Sequence, residues 1–187
     1  MRIYVALLRG INVGGKNKIK MADLRAELEK IGLTRVQTYI QSGNVLFESE
    51  KDEPSLRQDL ERMIAAVFGI KLTVMLRTAE EVKGIVEQCP FPEELVAEAA
   101  ATRVGESLHV AMLTEPPAPA GVDKLEAVER GTDLYSIAGR DVYLLFRDSI
   151  RDSKLAANLH KLGVEATVRN WKTMNKLVEL AEGMKRA

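Results

Sequence analysis

The chain has 187 residues, 46% of them hydrophobic, and its 27 basic side chains balance 27 acidic ones. This length can hold one large or two small domains with a packed core, and the zero net charge gives no whole-molecule field that recruits a polyanion. Cys89 is the sole cysteine, which excludes an internal disulfide and a cysteine-built metal site. With no apolar run near the roughly 20 residues that span a bilayer, and with Ile3–Leu8 too short for a signal-peptide core, we expect a soluble cytoplasmic protein without a membrane partner.

The first half reads as strand, helix, hairpin, helix and strand. Short apolar runs predict the strands, and apolar residues spaced by three and four predict two helices that end at Gly32 and Gly69. Between the helices, Gly43 supplies the positive φ that a tight hairpin turn needs. The predicted strands are Ile3–Leu8, Val36–Ile40, Val45–Phe47 and Leu72–Leu76, and the predicted helical stripes are Met21–Ile31 and Leu56–Phe68.

A helical connector is expected between the halves. Thr78 and Glu81 form a capping-box pattern that predicts a helix directly after the fourth strand. The prolines of the segment 89–92 break that helix, and an alanine-rich segment, Glu93–Ala101, predicts another short one. We therefore place the domain boundary near Gly105, which divides the chain into residues 1–105 and 106–187. Neither part is a basic module, since the first carries 15 bases and 15 acids and the second 12 and 12.

The second half repeats the element order of the first. The runs Leu108–Leu113, Leu134–Ile137, Val142–Phe146 and Glu165–Val168 are the predicted strands. One helix ends at Gly131, a second is capped by Ser153, and a third begins near Asn170. The order β-α-β-β-α-β therefore occurs twice. We predict an α+β fold of two tandem ferredoxin-like subdomains with antiparallel sheets and an additional C-terminal helix.

Three stretches carry a family resemblance: Tyr4–Gly15, Thr38–Val45 and Thr167–Trp171. They resemble an uncharacterised bacterial family, the domain of unknown function 1697, and the likeness runs nearly from end to end. The resemblance implies paired ferredoxin-like subdomains, in agreement with the element order. It implies no activity, substrate or cofactor.

The segment Arg9–Lys20 is the longest predicted loop and the first candidate site. It has twelve residues, with three glycines, four cations and no acid, where loops typically run about 4–6 residues. Backbone N–H groups freed by glycine beside lysines can hold an anion. The sequence from Gly10 to Lys16 nearly matches a nucleotide phosphate-binding loop, but Asn17 replaces the metal-binding hydroxyl and the helix begins late, at Met21. An alternative is that the glycines only permit a tight excursion and the lysines stay solvated.

A second candidate site begins the last helix. Asn170 is an expected N-cap, and Arg169 can point at an anion beside the helix dipole. The structural alternative is that Asn170 only caps the helix while Trp171 fills a core. Whether Lys16 and Arg169 meet in space stays open. The predicted ligand-binding residues are Arg9, Asn12, Gly14, Gly15, Lys16, Arg169 and Asn170.

The predicted hairpin turn 41–44 carries polar groups, Gln41 and Ser42, that turn chemistry does not require. We expect this turn and the loop after the first strand to lie at opposite ends of neighbouring strands. A site shared by both would then need the second subdomain to bridge them.

No catalytic or metal-binding set stands out, so no cofactor is expected and enzymatic activity stays open. His109 and His160 belong to no paired motif, and Cys89 has no nearby base. The favoured function is binding of a small anionic ligand, a class that includes phosphorylated compounds. One alternative is nucleic-acid binding by open antiparallel sheets, which requires exposed aromatic side chains and is weakened by the balanced charge. Another is a non-catalytic protein-interaction module of unknown oligomeric state.

Overall fold

The computed structural model describes residues 1–103, 105–147 and 150–187. The chain divides into two compact units, one formed by Met1–Gly84 with Lys176–Ala187 and the other by Ile85–Asn175. Our boundary at residues 105 and 106 follows element order instead, and it stays a prediction.

The first unit has a four-stranded antiparallel sheet in the order β2-β3-β1-β4, with helices α1 and α2 on one face. This is the ferredoxin-like order that the sequence predicts. The elements are β1 (Arg2–Leu8), α1 (Met21–Lys30), β2 (Thr34–Tyr39), β3 (Asn44–Ser49), α2 (Glu53–Phe68) and β4 (Val74–Thr78).

Local signals explain where these elements begin and end. The carboxylate of Asp52 accepts a hydrogen bond of 2.8 Å from the N–H of Ser55 and so caps α2, which ends at Gly69 with φ 67°. Alternate residues of β1, such as Tyr4 and Ala6, face the helices and join their apolar stripes in one buried cluster. The residues that produce the hydrophobic periodicity of the sequence therefore form the core of this unit.

The second unit repeats the topology, with strand order β6-β7-β5-β8. The predicted fold class is confirmed in both units. The elements after β4 are α3 (Ala79–Glu87), α4 (Glu93–Ala101), β5 (Leu108–Leu113), α5 (Pro119–Glu126), β6 (Leu134–Ala138), β7 (Asp141–Leu145), α6 (Lys154–Asn158), a 3-10 turn (Leu159–Leu162), β8 (Ala166–Asn170) and α7 (Trp171–Arg186).

Two predicted caps are present. The N–H of Thr78 donates to the Glu81 carboxylate over 2.8 Å, and the N–H of Glu81 donates to the Thr78 hydroxyl over 3.2 Å. The hydroxyl of Ser153 accepts from the N–H of Ala156. The helix that Ser153 caps is short, since α6 stops at Asn158 and tightens into the 3-10 turn.

The central strands of each sheet are largely buried on both faces. On the face of the first sheet opposite α1 and α2, Val5, Leu7 and Leu46 are at most 1% exposed. In the second sheet, Val110 and Met112 are fully buried.

Candidate functional site

The loop after β1 folds into a miniature hairpin. The N–H of Lys16 donates to the carbonyl of Val13 and the N–H of Asn12 to that of Asn17, each over 3.0 Å. Gly14 and Gly15 form the two-residue turn with φ values of 58° and 75°, the left-handed region that such a turn requires. The turn itself therefore accounts for this glycine pair.

The side chain of Asn12 ties this loop to its surroundings. Its amide nitrogen donates to the carbonyls of Gln41 over 2.8 Å and Ile19 over 3.0 Å, and its oxygen accepts from the N–H of Ile19 over 2.9 Å. Asn12 also adopts φ 54°, which asparagine tolerates better than most residues. The predicted ligand residue Asn12 therefore uses its amide to hold the loop in place.

The structure contradicts our expectation that this loop and the β2–β3 turn lie at opposite ends of the strands. The N–H of Leu8 donates to the carbonyl of Gly43 over 2.8 Å, and Leu7 pairs with Asn44. Because β1 and β3 are antiparallel neighbours, the end of β1 meets the beginning of β3. The first unit therefore joins the two loops without help from the second.

Between these loops lies a cleft of about 650 Å³, which we call the α1 cleft. Its size falls within the usual range of small-molecule sites. The lining combines cations and amides with two apolar side chains from the core. The lining residues are Asn12, Gly15, Lys18, Ile19, Lys20, Asp23, Gln41 and Phe68.

The N-terminus of α1, which is the positive end of its helix dipole, lies at this cleft. Lys20 stands at the N-cap and makes no side-chain capping hydrogen bond with the described residues, in contrast to Asp52 at α2. A lysine ammonium has no acceptor atom, so Lys20 does not itself satisfy the first N–H groups of α1. Lys18 and Lys20 add two positive charges to the lining, and Asp23 in the first turn adds one negative charge. The lining carries a formal charge of plus one.

Only part of the predicted ligand set lines the cleft. Asn12 and Gly15 do, whereas Arg9, Gly14 and Lys16 are exposed residues of the same loop outside the lining. The predicted ligand set does not include Lys18, Lys20 or Gln41, although the sequence marks Gln41 as a polar group that the hairpin turn does not require. A usable signal was present, because Lys20 directly precedes the apolar stripe of α1, at the position where a helix usually has a capping side chain.

The other two predicted residues, Arg169 and Asn170, belong to the second unit. Asn170 is the N-cap expected from the sequence, since its side-chain oxygen accepts from the N–H of Thr173 over 2.8 Å. Arg169 donates to the carbonyl of Val168 over 3.0 Å, and burial lowers its pKa to about 10. Trp171 packs against a buried apolar cluster, as the structural alternative proposed. The role of Arg169 in ligand binding stays a prediction.

The second unit contains a larger cavity, of about 690 Å³, with a different character. The charged groups of its lining are three carboxylates and two cations: Glu129, Asp133, Asp152, Arg130 and Lys154. The buried Asp133 carboxylate already accepts hydrogen bonds from the N–H of Arg147 and the hydroxyl of Ser153, at 2.8 and 2.7 Å. The lining of this cavity carries a net negative charge, and its most buried carboxylate, Asp133, is already hydrogen-bonded within the fold.

The strand aromatics do not form a base-stacking platform. Six aromatic residues lie on the predicted strands: Tyr4, Tyr39, Phe47, Tyr135, Tyr143 and Phe146. Of these, Tyr4, Phe47, Tyr143 and Phe146 are at most 2% exposed, and the hydroxyl of Tyr143 donates to the carbonyl of Ile85. Stacking on nucleic-acid bases requires accessible rings. The geometry therefore offers little support for sheet-face binding of nucleic acid.

Two further structural features concern metal binding and the crossing of a membrane. Within residues 1–103, 105–147 and 150–187, no group of three or more His, Cys, Asp or Glu side chains is placed to hold a metal ion. No helix in the described part of the chain combines the length and apolarity needed to cross a bilayer.

The architecture defines a class of protein: two ferredoxin-like units in one chain, the first with a cationic cleft at one end of its sheet. The chain belongs to the family described as "Protein of unknown function (DUF1697)", whose model matches residues 1–143. It is also similar to the solved structure of conserved bacterial protein SP0830 from Streptococcus pneumoniae. The identity is 26% and the TM-score 0.69, over 96% of this chain and 98% of that one. No curated protein gives a significant match.

Proposed function

We propose that the first unit binds a small anionic ligand in the α1 cleft, with a phosphate group as the expected head group. The observation that carries this proposal is the N-terminus of α1, which opens into a ligand-sized cleft without a side-chain cap. Free N–H groups and the helix dipole favour an anion at such a position. The ligand would occupy the place that Asp52 fills at α2.

The lysines of the lining support the same ligand. Lys18 and Lys20 are exposed, and Lys20 is itself the N-cap residue, so their ammonium groups can reach an anion there without losing a buried partner. Asp23 opposes them, because its carboxylate repels an anion in the same cleft. Arg9 and Lys16 extend the cationic segment outside the lining, and we assign them a weaker, longer-range contribution.

A thermal-shift screen tests this proposal. The ligand panel contains inorganic phosphate, sugar phosphates, nucleotides, organic acids and short RNAs, because a ligand that binds the folded state raises the melting temperature. We expect phosphate compounds to raise it, and Lys18→Ala and Lys20→Ala each to weaken that response. Loss of one charge at a helix N-terminus corresponds to about 1 kcal/mol, or about fivefold in affinity. Lys16→Ala should have a smaller effect.

Lys30→Ala is the matched control, since it removes one charge from the other end of the same helix. Lys30 is exposed and pairs with Glu27, so its loss leaves the cleft unchanged. The proposal fails if no small anion shifts the melting temperature, or if Lys30→Ala weakens the response as much as Lys20→Ala. A salt-sensitive response to RNA alone would favour the nucleic-acid alternative.

A further inference from the structure

The α1 cleft has an apolar wall that an inorganic anion does not need. Among its lining residues, Ile19 is 3% exposed and belongs to the core, and Phe68 is half-buried at the end of α2. These two side chains place carbon surface in the same cleft as Lys18 and Lys20. A ligand that carries only charge would leave the exposed part of Phe68 in contact with water.

Exposed aliphatic side chains flank the lining in sequence. Of the large hydrophobic side chains that are exposed in the described residues, three lie directly beside residues that line the cleft. Val13 (63% exposed) follows Asn12, Ile40 (49%) precedes Gln41, and Val67 (50%) precedes Phe68. They come from three separate elements that meet at this end of the first unit. Three exposed apolar side chains are therefore sequence neighbours of lining residues at this end of the first unit.

Ile40 has a backbone that does not suit its side chain. Its φ is 50°, in the left-handed region where a β-branched residue is strongly disfavoured. Burial does not offset this cost, because about half of the side chain faces solvent. Asparagine or glycine would fit the turn better. Such a local cost at a loop tip is typical of a position kept for contact with a ligand.

We propose that the ligand of the α1 cleft is an amphiphilic anion, a phosphate monoester whose ester group is an alkyl or aryl chain of several carbons. This inference rests on the proposed function, which places the phosphate at α1. The ester group would cover the exposed part of Phe68 and extend toward the exposed side chain of Ile40. A sugar phosphate of equal charge would bind more weakly, because its hydroxyl groups would lie against carbon.

A homologous series of ligands tests the apolar part separately from the charge. Methyl, butyl and hexyl phosphate carry the same head group and differ only in chain length. We expect the dissociation constant, measured by isothermal titration calorimetry, to fall along the series, by up to about fourfold for each methylene group that becomes fully buried. Glycerol phosphate serves as the polar control and should bind about as weakly as methyl phosphate.

Substitutions of the apolar residues show where the alkyl chain binds. Ile40→Asn and Val67→Ser change exposed side chains, so the protein should fold, and each should reduce the gain from methyl to hexyl phosphate while the affinity for methyl phosphate stays unchanged. Phe68→Leu tests the wall itself and should reduce the gain further. Lys20→Ala should weaken every member of the series by a similar factor.

The possible outcomes separate the two proposals. Equal affinities for methyl, hexyl and glycerol phosphate would overturn the amphiphile inference and leave anion binding intact. No measurable binding of any phosphate would overturn the proposed function and the inference together. A chain-length gain that persists in Ile40→Asn, Val67→Ser and Phe68→Leu would show that the chain binds elsewhere, and would also overturn the inference.

Discussion

The two units share a strand order but differ at one end of the sheet. In the first unit, twelve residues (9–20) connect β1 to α1 and four residues (40–43) connect β2 to β3. In the second unit, the equivalent connections are five residues (114–118) and two residues (139–140). The longer connections of the first unit supply most of the lining of the α1 cleft.

This difference indicates where function can lie in such a fold. The central strands of both sheets are buried by packing, so they offer little surface for recognition. Added length in loops at one end creates a concave, polar surface without disturbing the core. The first unit has these longer loops, and the second unit has shorter connections at the equivalent positions.

The largest expected effect on stability distinguishes the β2–β3 turn from the β6–β7 turn. A Cβ at Gly43 would lie 2.7 Å from the Leu8 Cβ and 2.8 Å from the Ile11 Cδ1, at a φ of 84°, whereas a Cβ at Gly139 meets nothing within 4 Å, at 61°. We expect Gly43→Ala to lower the free energy of unfolding by about 3 kcal/mol and Gly139→Ala by about 1 kcal/mol. Urea denaturation checks both. Equal losses would contradict the close packing of the first turn.

The next effect concerns the asparagine that holds the long loop. Asn12→Ala removes three hydrogen bonds to the backbone and should cost about 2 kcal/mol. Asn17→Ala is a matched control, because Asn17 is also left-handed, with φ 49°, but makes one exposed hydrogen bond to Gly10. We expect the control to lose about 1 kcal/mol in the same denaturation experiment. An equal loss in both would show that backbone strain, and not the side-chain bonds of Asn12, dominates.

A third prediction concerns acid sensitivity in the second unit. His109 occupies in β5 the register position that Tyr4 occupies in β1, and burial, with the Arg103 charge, lowers its pKa from 6.5 to about 4. The folded state therefore binds fewer protons than the unfolded state between these pH values, and stability falls as pH drops through that window. Because the ring keeps some solvent access, we expect His109 to contribute about 1–2 kcal/mol to the loss by pH 5.

His109→Phe checks this prediction. Denaturation midpoints at pH 7 and pH 5 should differ less in this variant than in the wild-type chain. Unchanged pH dependence would assign the acid sensitivity to other groups.

The smallest effect is a gain in stability. Ile40→Asn replaces a β-branched residue at φ 50° by one that tolerates this backbone, and should raise the free energy of unfolding by about 1 kcal/mol. The second unit shows the favourable arrangement, with Gly139 at a left-handed turn position. Ile40→Ala shortens the side chain without providing a residue suited to this φ, and we expect it to change stability less. A loss of stability in Ile40→Asn would mean that the isoleucine packs in solution.

The sequence predicted the frame of the fold because local signals and burial agree there. Gly43, the Thr78 and Glu81 pair and the Asn170 cap were all recognisable from residue type and position. The relation between the long loop and the hairpin turn was predicted wrongly. It depends on which end of β1 faces which end of β3, and the antiparallel pairing of Leu7 with Asn44 settles this.

The site was predicted only in part for a related reason. Glycine content drew attention to Gly14 and Gly15, and their φ values show that the turn requires them. Lys18 and Lys20 line the cleft because the loop folds back on itself, which the spacing of charges along the sequence does not indicate. The apolar wall from Phe68 comes from a residue 48 positions beyond Lys20, and only the tertiary structure brings the two together.

A phosphate titration of paired charge variants tests the central claim most directly. Lys20→Ala and Asp23→Asn change the charge at the N-terminus of α1 in opposite directions, whereas Lys30→Ala changes it at the far end. The α1 cleft predicts that phosphate binding weakens in Lys20→Ala and tightens in Asp23→Asn, each by about two- to fivefold, with Lys30→Ala unchanged. Absence of binding to the wild-type chain, or a shift in the same direction for Lys20→Ala and Asp23→Asn, would contradict an anion site at this helix.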